Sequence, residues 1–460
     1  MLPTVTRFII KQTKEILMVM KTEPGKKKYF IVYAVILEII SILCMFMFAG
    51  LHSEHMNVIQ TFITEKGGGW SANMTMLPMT IGNLICIALT FVFGTLFIRI
   101  GVRKTMIPFM VLSGLGCVGI SLANGLDCFG GVASGNYPLF FASMMLVRCA
   151  SPVFQMGAMM LITNWFIRLR GRMASICSMG ATIFTVVGTS AMPNVIAKSW
   201  NGDYRPFYYG VGVLCILMAV VMGVFLKDFP EDAGLFPDGT DHAPISEKED
   251  ETPLTVSEVL RDPIAWKVAI VQTAPTVLLS GMMSSMALSF ITRGGSDLWL
   301  QATVFVSVGA IAGVACSLLF GVLNDKLGAL ITMVLFLISM LIPTLTLMFM
   351  PSHKNTVLLI ILAVGLALSL GAAPVTHPCL VAHFYGRKKF QSVNRVTMAL
   401  EMIPGSFSGI MMTSLIRSGH AKLAYLILII LVVISFITLM TMMKIPDANA
   451  ADRDSIHRKA

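Results

Sequence analysis

The chain has 460 residues; 13% are charged and 56% belong to the apolar set Ala, Val, Ile, Leu, Met, Phe, Trp, Tyr and Cys. Soluble proteins carry roughly 25% charged residues, so composition argues against a water-soluble globular domain. The formal net charge of +10 would suggest nucleic acid in a soluble chain, but here the basic residues sit in short loops between apolar runs, the pattern of an oriented membrane protein.

Residues 1–28 form a basic segment with Arg7, Lys11, Lys14, Lys21 and Lys26, Lys27 and Lys28. It has no central apolar region followed by a cleavage site, so the first apolar run is expected to be retained as a span. Val5, Phe8, Ile9, Ile10, Ile16 and Leu17 alternate with lysines, which fits a short helix on the inner surface or an unstructured basic tail. Six apolar runs follow, at 29–51, 75–98, 105–124, 138–166, 173–197 and 207–226. Each is long enough to cross a ~30 Å hydrocarbon layer, which takes about 20 helical residues. Lipid offers the backbone no hydrogen-bond partners, so the runs are predicted to be helices.

Residues 227–264 are acidic and proline-rich, with Asp228, Pro230, Glu231, Asp232, Pro237, Asp238, Glu247, Glu249, Asp250 and Glu251. They predict a flexible linker with a short surface helix near Ser257–Arg261. Six more runs follow, at 265–292, 300–323, 330–350, 356–384, 392–416 and 422–443, and a polar tail at 444–460. The expected fold is an all-α polytopic membrane protein with about twelve transmembrane helices. Its domains are two pseudo-symmetric six-helix bundles, 29–226 and 265–443, joined by the linker. Basic residues follow the second run (Arg99, Arg103, Lys104), the fourth (Arg168, Arg170, Arg172) and the tenth (Arg387, Lys388, Lys389). These loops and the N-terminal segment fall on one face, which places both termini in the cytoplasm of a cell that carries the protein in its inner or plasma membrane.

Nine cysteines are scattered singly with no C-x-x-C spacing, so neither a disulfide framework nor a metal site is indicated. No phosphate-binding G-x-x-x-x-G-K-[ST], H-E-x-x-H or nucleophile elbow occurs. No catalytic residue, metal or cofactor is therefore assigned, and the chain is not read as an enzyme.

One phrase occurs twice. Gly94-Thr95-Leu96-Phe97-Ile98-Arg99-Ile100-Gly101 follows the second run, and Gly321-Val322-Leu323-Asn324-Asp325-Lys326-Leu327-Gly328 follows the eighth. Both read G-x-L-x-x-[RK]-x-G. Trp165-Phe166 before Gly171-Arg172 matches His383-Phe384-Tyr385-Gly386-Arg387 in the same way, and each pair is about 220 residues apart, the mark of a duplicated six-helix unit. The repeated phrase resembles motif A of the major facilitator superfamily. The resemblance implies a conformational role for Gly94, Gly101, Arg103, Gly321, Asp325, Lys326 and Gly328. The first copy has Ile98 where the second has Asp325, so the family's acidic latch is expected on the second copy only. Asn164-Trp165-Phe166, Phe384-Tyr385-Gly386-Arg387-Lys388 and the stretch Pro230–Gly239 resemble the oxalate–formate antiporter and monocarboxylate transporter branch. The oxalate carriers hold their dianion with basic residues in helices 8 and 11. Here the eighth run has no Arg or Lys in its apolar part and the eleventh has Glu401, which argues against oxalate itself.

Few ionisable groups lie at mid-depth. At 1.5 Å per helical residue, Glu38, Arg148 and Glu401 lie roughly 14–15 Å into the first, fourth and eleventh runs. A charge there costs about 2.5–3.5 kcal/mol or more, so each needs a partner or a wet cavity. One reading pairs Glu38 with Arg148 as a packing ion pair. The other has Arg148 hold an anionic substrate group while Glu38 or Glu401 takes up a proton. His377, between Pro374 and Pro378, is read as a gate or binding residue, or as a donor to carbonyls the prolines free. Gln155, Gln272 and Asn83 are further polar candidates. Arg395, near a helix end, is expected to snorkel to the interface.

The expected function is secondary active transport of a small, monocarboxylate-like organic anion by alternating access, coupled to protons or to a counter-substrate. The alternatives are a proton-coupled carrier of a larger amphipathic or cationic compound and, less favoured, a non-transporting receptor. Expected partners are the solute, protons and lipid, with no nucleic acid, and the carrier is expected to be monomeric.

Overall fold

The computed structural model describes residues 24–51, 70, 72–123, 136–186, 192–240 and 253–448. The surface helix expected over 5–20, the Asn83 side chain, the acidic cluster Glu247–Glu251 and the last part of the tail lie outside the described residues. All regular elements among the described residues are helical. α1 (Pro24–Ala49), α2 (Ala72–Ile100) and α3 (Val102–Leu122) are single passes. α4 (Tyr137–Ala150) and α5 (Pro152–Trp165) make the fourth pass, α6 (Arg170–Val186) and α7 (Met192–Ser199) the fifth, and α8 (Arg205–Phe225) the sixth. The short α9 (Val256–Arg261) precedes α10 (Pro263–Leu327), α11 (Ala329–Met348), α12 (Thr356–Arg417) and α13 (Ala421–Met442). α10 breaks at Gly294 and Gly295, and α12 at Gly386. Nine stretches among the described residues are long and apolar enough to cross a membrane. Counted at the breaks, the described helices make twelve passes.

The two motif copies perform the same backbone task. Gly101 and Gly328 take φ of 90° and 86° between one helix and the next, a conformation that costs a side chain dearly. The first glycine of each copy lets a helix of one half approach the other half. A Cβ on Gly94 would come within 2.4 Å of Arg395 on α12, and one on Gly321 within 2.6 Å of the Gly171 carbonyl on α6. Thus α2 packs on the eleventh pass, and the eighth packs on α6.

These close approaches lie at the ends that carry the basic loops. Asp325 accepts hydrogen bonds from the Gly171 and Arg172 backbone N–H groups at 2.8 and 3.2 Å, and its carboxylate pairs with Arg172 Nε at 3.3 Å. Ser175 Oγ donates to the Ser317 carbonyl at 2.8 Å. The first copy has no acid to do this. Instead Arg395, only 5% exposed, donates from Nη1 to Thr95 Oγ1 at 2.8 Å and from Nη2 to the Leu254 carbonyl at 3.2 Å. It therefore does not snorkel to water as expected: its length is used to tie α12 to α2. Within the first half, Asp228 accepts from Val102 N–H at 2.9 Å and Arg103 N–H at 2.7 Å. Burial pushes its carboxyl upward while those N–H groups pull it down.

The described part of the linker after α8, residues 227–240, is tied to its surroundings, where composition predicts a flexible segment. Glu231 pairs with Arg387 of the second half, and Asp238 accepts from Ile167 N–H and Arg168 N–H at 3.1 and 2.8 Å. Asn164 Nδ2 and Trp165 Nε1 donate to the Asp228 and Lys227 carbonyls at 3.0 and 3.2 Å. Asp228 and Asp238 accept from N–H groups beside helix ends, and Glu231 ties the stretch to the second half. The expected surface helix near Ser257–Arg261 is α9, with Thr255 and Glu258 as a capping box. The tail begins folded back, with Ala448 N–H donating to the His383 carbonyl at 2.8 Å.

Gly321→Val inserts a side chain where a Cβ alone meets Ser175 Oγ at 2.1 Å and the Gly171 carbonyl at 2.6 Å. Overpacking of this kind costs about 1–3 kcal/mol. The variant should favour separation of α6 from α10, read as roughly tenfold faster alkylation of a cysteine placed at Ser317; unchanged labelling would refute the close-packed account.

A candidate site on the cavity between the halves

A cavity of ≈ 280 Å³ lies where α5 of the first half meets α10 and both arms of α12. Its lining follows helical periodicity. Gln155, Met156 and Met159 come from α5; Gln272, Pro275, Thr276 and Leu279 from α10; Ala373, Pro374, His377 and Pro378 from the first arm of α12; Asn394, Met398 and Glu401 from the second. Each set recurs at intervals of one, three or four residues, so each is one stripe on one helix face.

The polar centre is built around His377. Its Nδ1 lies 3.1 Å from Glu401 Oε2, and its Nε2 lies 3.0 Å from Asn394 Oδ1. Asn394 Nδ2 donates to Met398 Sδ at 3.3 Å. Pro374 and Pro378 leave backbone carbonyls without their usual helical donors. The imidazole does not serve those carbonyls: both ring nitrogens are engaged with side chains of the neighbouring pass. Glu401 is 8% exposed and His377 half-buried, so the pair sits inside the protein with one edge on the cavity. Gln272 turns its amide nitrogen to Met333 Sδ at 3.8 Å. The cavity lining contains no Lys or Arg.

Of the residues singled out from sequence, the cavity brings together Gln155, Gln272, His377 and Glu401. Glu38 and Arg148 are not in its lining, and no ion pair joins them among the described residues. Glu38 is 8% exposed and sits beside Cys177 of α6, with neither carboxylate oxygen in a well-formed hydrogen bond. Arg148, 3% exposed, lies beside Cys86 and Cys149 and against Gly82, with Nε and Nη1 lacking a protein acceptor among the described residues. It precedes Gln155 by seven residues, hence shares its helix face about 10 Å farther along. Of the motif residues, Lys326 is exposed, and Arg103 donates its side chain to the Gly223 carbonyl. Asn394 is the residue sequence reasoning missed. The available signal was its place seven residues before Glu401, on the same helix face.

The Major Facilitator Superfamily profile matches residues 34–409. No curated protein matches the sequence significantly. Solved structures do. The proton:xylose symporter XylE bound to 6-bromo-6-deoxy-D-glucose superposes with a TM-score of 0.66 at 14% identity, covering 90% of this chain and 96% of that one. The E. coli fucose:proton symporter FucP gives 0.66 at 12% identity, covering 90% and 99%, and FucP in its outward conformation gives 0.62 at 12%, covering 90% and 100%.

Asp325→Ala removes the acceptor for two helix-start N–H groups and the partner of Arg172. Loss of such a cap costs about 1–2 kcal/mol. Because that contact joins the halves, spin labels on α6 and the eighth pass should show a separated population that the wild type lacks; superimposable distance distributions would count against the latch.

Proposed function

Since the chain belongs to the major facilitator superfamily, we propose that it is a proton-coupled secondary transporter of a small organic anion of monocarboxylate type. The observation that carries this reading is the 3.1 Å contact between His377 and Glu401 on a cavity without Lys or Arg in its lining. An imidazole and a carboxylate that share one proton have no net charge. A second proton makes the pair singly positive, and a monoanion then restores neutrality. Empty and fully loaded sites are both neutral, whereas a site holding only the proton or only the anion carries a charge. Moving that charge through a low-dielectric interior is costly, so only the neutral states cross readily. Coupling follows from this difference.

In this reading Arg148 attracts the anion two helical turns from Gln155, and the neutral amides of Gln155 and Gln272 orient it. Glu38 is a second carboxyl able to carry a proton. The halves 29–226 and 265–443 rock about the cavity, in a monomer lying in the cell membrane with both termini in the cytoplasm. XylE and FucP are described as proton symporters of sugars; at this identity the likeness concerns the fold, but their use of protons supports proton coupling here. A second reading, antiport of a proton for an amphipathic cation, draws on Met156, Met159 and Met398, soft side chains that repack around varied shapes.

Proteoliposomes with an alkaline lumen test the proposal with labelled lactate, pyruvate and propionate. At least one should accumulate in proportion to the proton gradient. Glu401→Gln should lose about tenfold of the gradient-driven accumulation but keep solute exchange, and Arg148→Ala should raise KM by about tenfold. Accumulation driven equally well by the gradient in Glu401→Gln removes the pair from coupling. Uptake of a labelled quaternary amine in place of every carboxylate selects the antiport reading.

A further inference from the structure

We infer that Asn394 is a positioning residue that fixes the tautomer of His377, so that the site takes its coupling proton before its anion. The inference rests on the coupling role proposed for His377 and Glu401. Met398 has a thioether, which accepts a hydrogen bond and has no hydrogen to donate. The amide nitrogen of Asn394, 3.3 Å from that sulfur, therefore belongs where it is placed, and its oxygen faces the ring at 3.0 Å from Nε2. An amide oxygen only accepts. The hydrogen bond thus requires Nε2 to carry hydrogen in both the neutral and the charged ring.

This leaves Nδ1 as the variable nitrogen, and it is the one 3.1 Å from Glu401 Oε2. One proton occupies that contact, as imidazolium with carboxylate or as imidazole with carboxylic acid. The next proton binds at Glu401, giving imidazolium beside a neutral acid. Only then does the cavity hold an uncompensated positive charge for a monoanion. Without Asn394 the neutral ring is free to place its hydrogen on Nδ1, where it satisfies Glu401 and turns a bare Nε2 lone pair outward. Such a site repels an anion.

The surroundings leave this switch to few groups. Glu401 is the titratable group in contact with His377, and the α5 and α10 faces of the cavity contribute Gln155, Gln272, Thr276 and apolar side chains. Arg395, next to Asn394, is turned to Thr95 and Leu254. The position that matters is therefore 394. A hydrocarbon there removes the acceptor that stabilises the charged ring, and a carboxylate there strengthens it.

The experiment measures gradient-driven uptake of the labelled carboxylate from pH 5.5 to 8.5 for the wild type, Asn394→Leu, Asn394→Asp and Glu401→Gln. The alkaline limb of the Leu variant should move about one pH unit down and that of the Asp variant about one unit up, the size expected for a hydrogen bond to a charged group. Movement of both in one direction, or of neither, while Glu401→Gln still loses gradient-driven uptake, overturns the role of Asn394 and leaves the coupling pair standing. Undiminished gradient-driven uptake in Glu401→Gln overturns the pair and this inference with it. Nitrogen-15 histidine spectra of the detergent-solubilised wild type, with His377 assigned by its loss in His377→Gln, read the tautomer without transport. A protonated Nε2 in the neutral ring is the expected result, and a bare Nε2 refutes the inference.

Discussion

Asp228, Asp238, Asp262 and Asp325 each accept hydrogen bonds from backbone N–H groups at or beside the start of an α-helix, and the end of the molecule that carries the basic loops depends on them. Asp228 serves Val102 and Arg103, Asp238 serves Ile167 and Arg168, Asp262 serves Ile264, and Asp325 serves Gly171 and Arg172. A helix start has unpaired N–H groups and the positive end of the backbone dipole, so a carboxylate is a well-matched partner, contributing about 1 kcal/mol at each cap. The first three caps act close to their own half. Asp325 reaches from the eighth pass to α6 and joins the halves. A contact of this size holds two bundles together without making their separation prohibitive, which is what a rocking motion demands of it.

The duplication explains why such contacts occur in pairs, and its imperfections explain why they differ. Both motif copies keep the glycine with positive φ and the glycine of close approach. Only the second kept the acid. At the first, Ile98 stands in the acidic position, and the attachment is inverted: the long side chain comes from the opposite half, as Arg395, and ends on Thr95. The two seams are therefore chemically unequal. One is an ion pair with helix capping, and the other a hydrogen bond from a buried guanidinium. Glu231 with Arg387 adds a third tie, carried by the stretch that composition alone marks as a loose linker.

The sequence made the fold legible because hydropathy, length and repeated glycines are one-dimensional signals. Depth is an expectation of the same one-dimensional kind: a rise of 1.5 Å per residue places Glu401 and Arg148 near the middle of their runs. What depth does not give is azimuth. Glu38 and Arg148 were natural partners by depth, yet Glu38 turns to α6 and Arg148 to α2. Arg395 was near enough to a helix end to reach water, but a glycine on the facing helix made a nearer berth. Asn394 escaped notice because a lone asparagine in an apolar run has no meaning until its helix face is known. Its spacing from Glu401 held that information, and His377, on a different pass, was needed to reveal it. The linker misled for another reason. Acidic and proline-rich composition describes a solvated chain and a set of helix caps equally well, and only the positions of the receiving N–H groups distinguish them.

The buried charged groups differ in what surrounds them. Caps at the basic face are satisfied and set a conformation. His377 is held at Nε2 by Asn394 and lies with Nδ1 3.1 Å from Glu401 Oε2, an ion-pair contact rather than a well-formed hydrogen bond. Among the described residues, Arg148 has two nitrogens without a protein acceptor, and Glu38 two oxygens without a well-formed bond. A buried charge left unpaired costs several kcal/mol, more than any single cap returns. Evolution of a merely stable bundle has an inexpensive remedy, an apolar side chain of similar volume. In the reading proposed above, Arg148 is retained as a source of positive potential about 10 Å along the helix face from Gln155, while the solute's charge is compensated at His377 and Glu401. On that reading the protonated pair is neutralised by a solute that carries one negative charge and is compact enough to enter a cavity of ≈ 280 Å³, conditions that a short monocarboxylate meets.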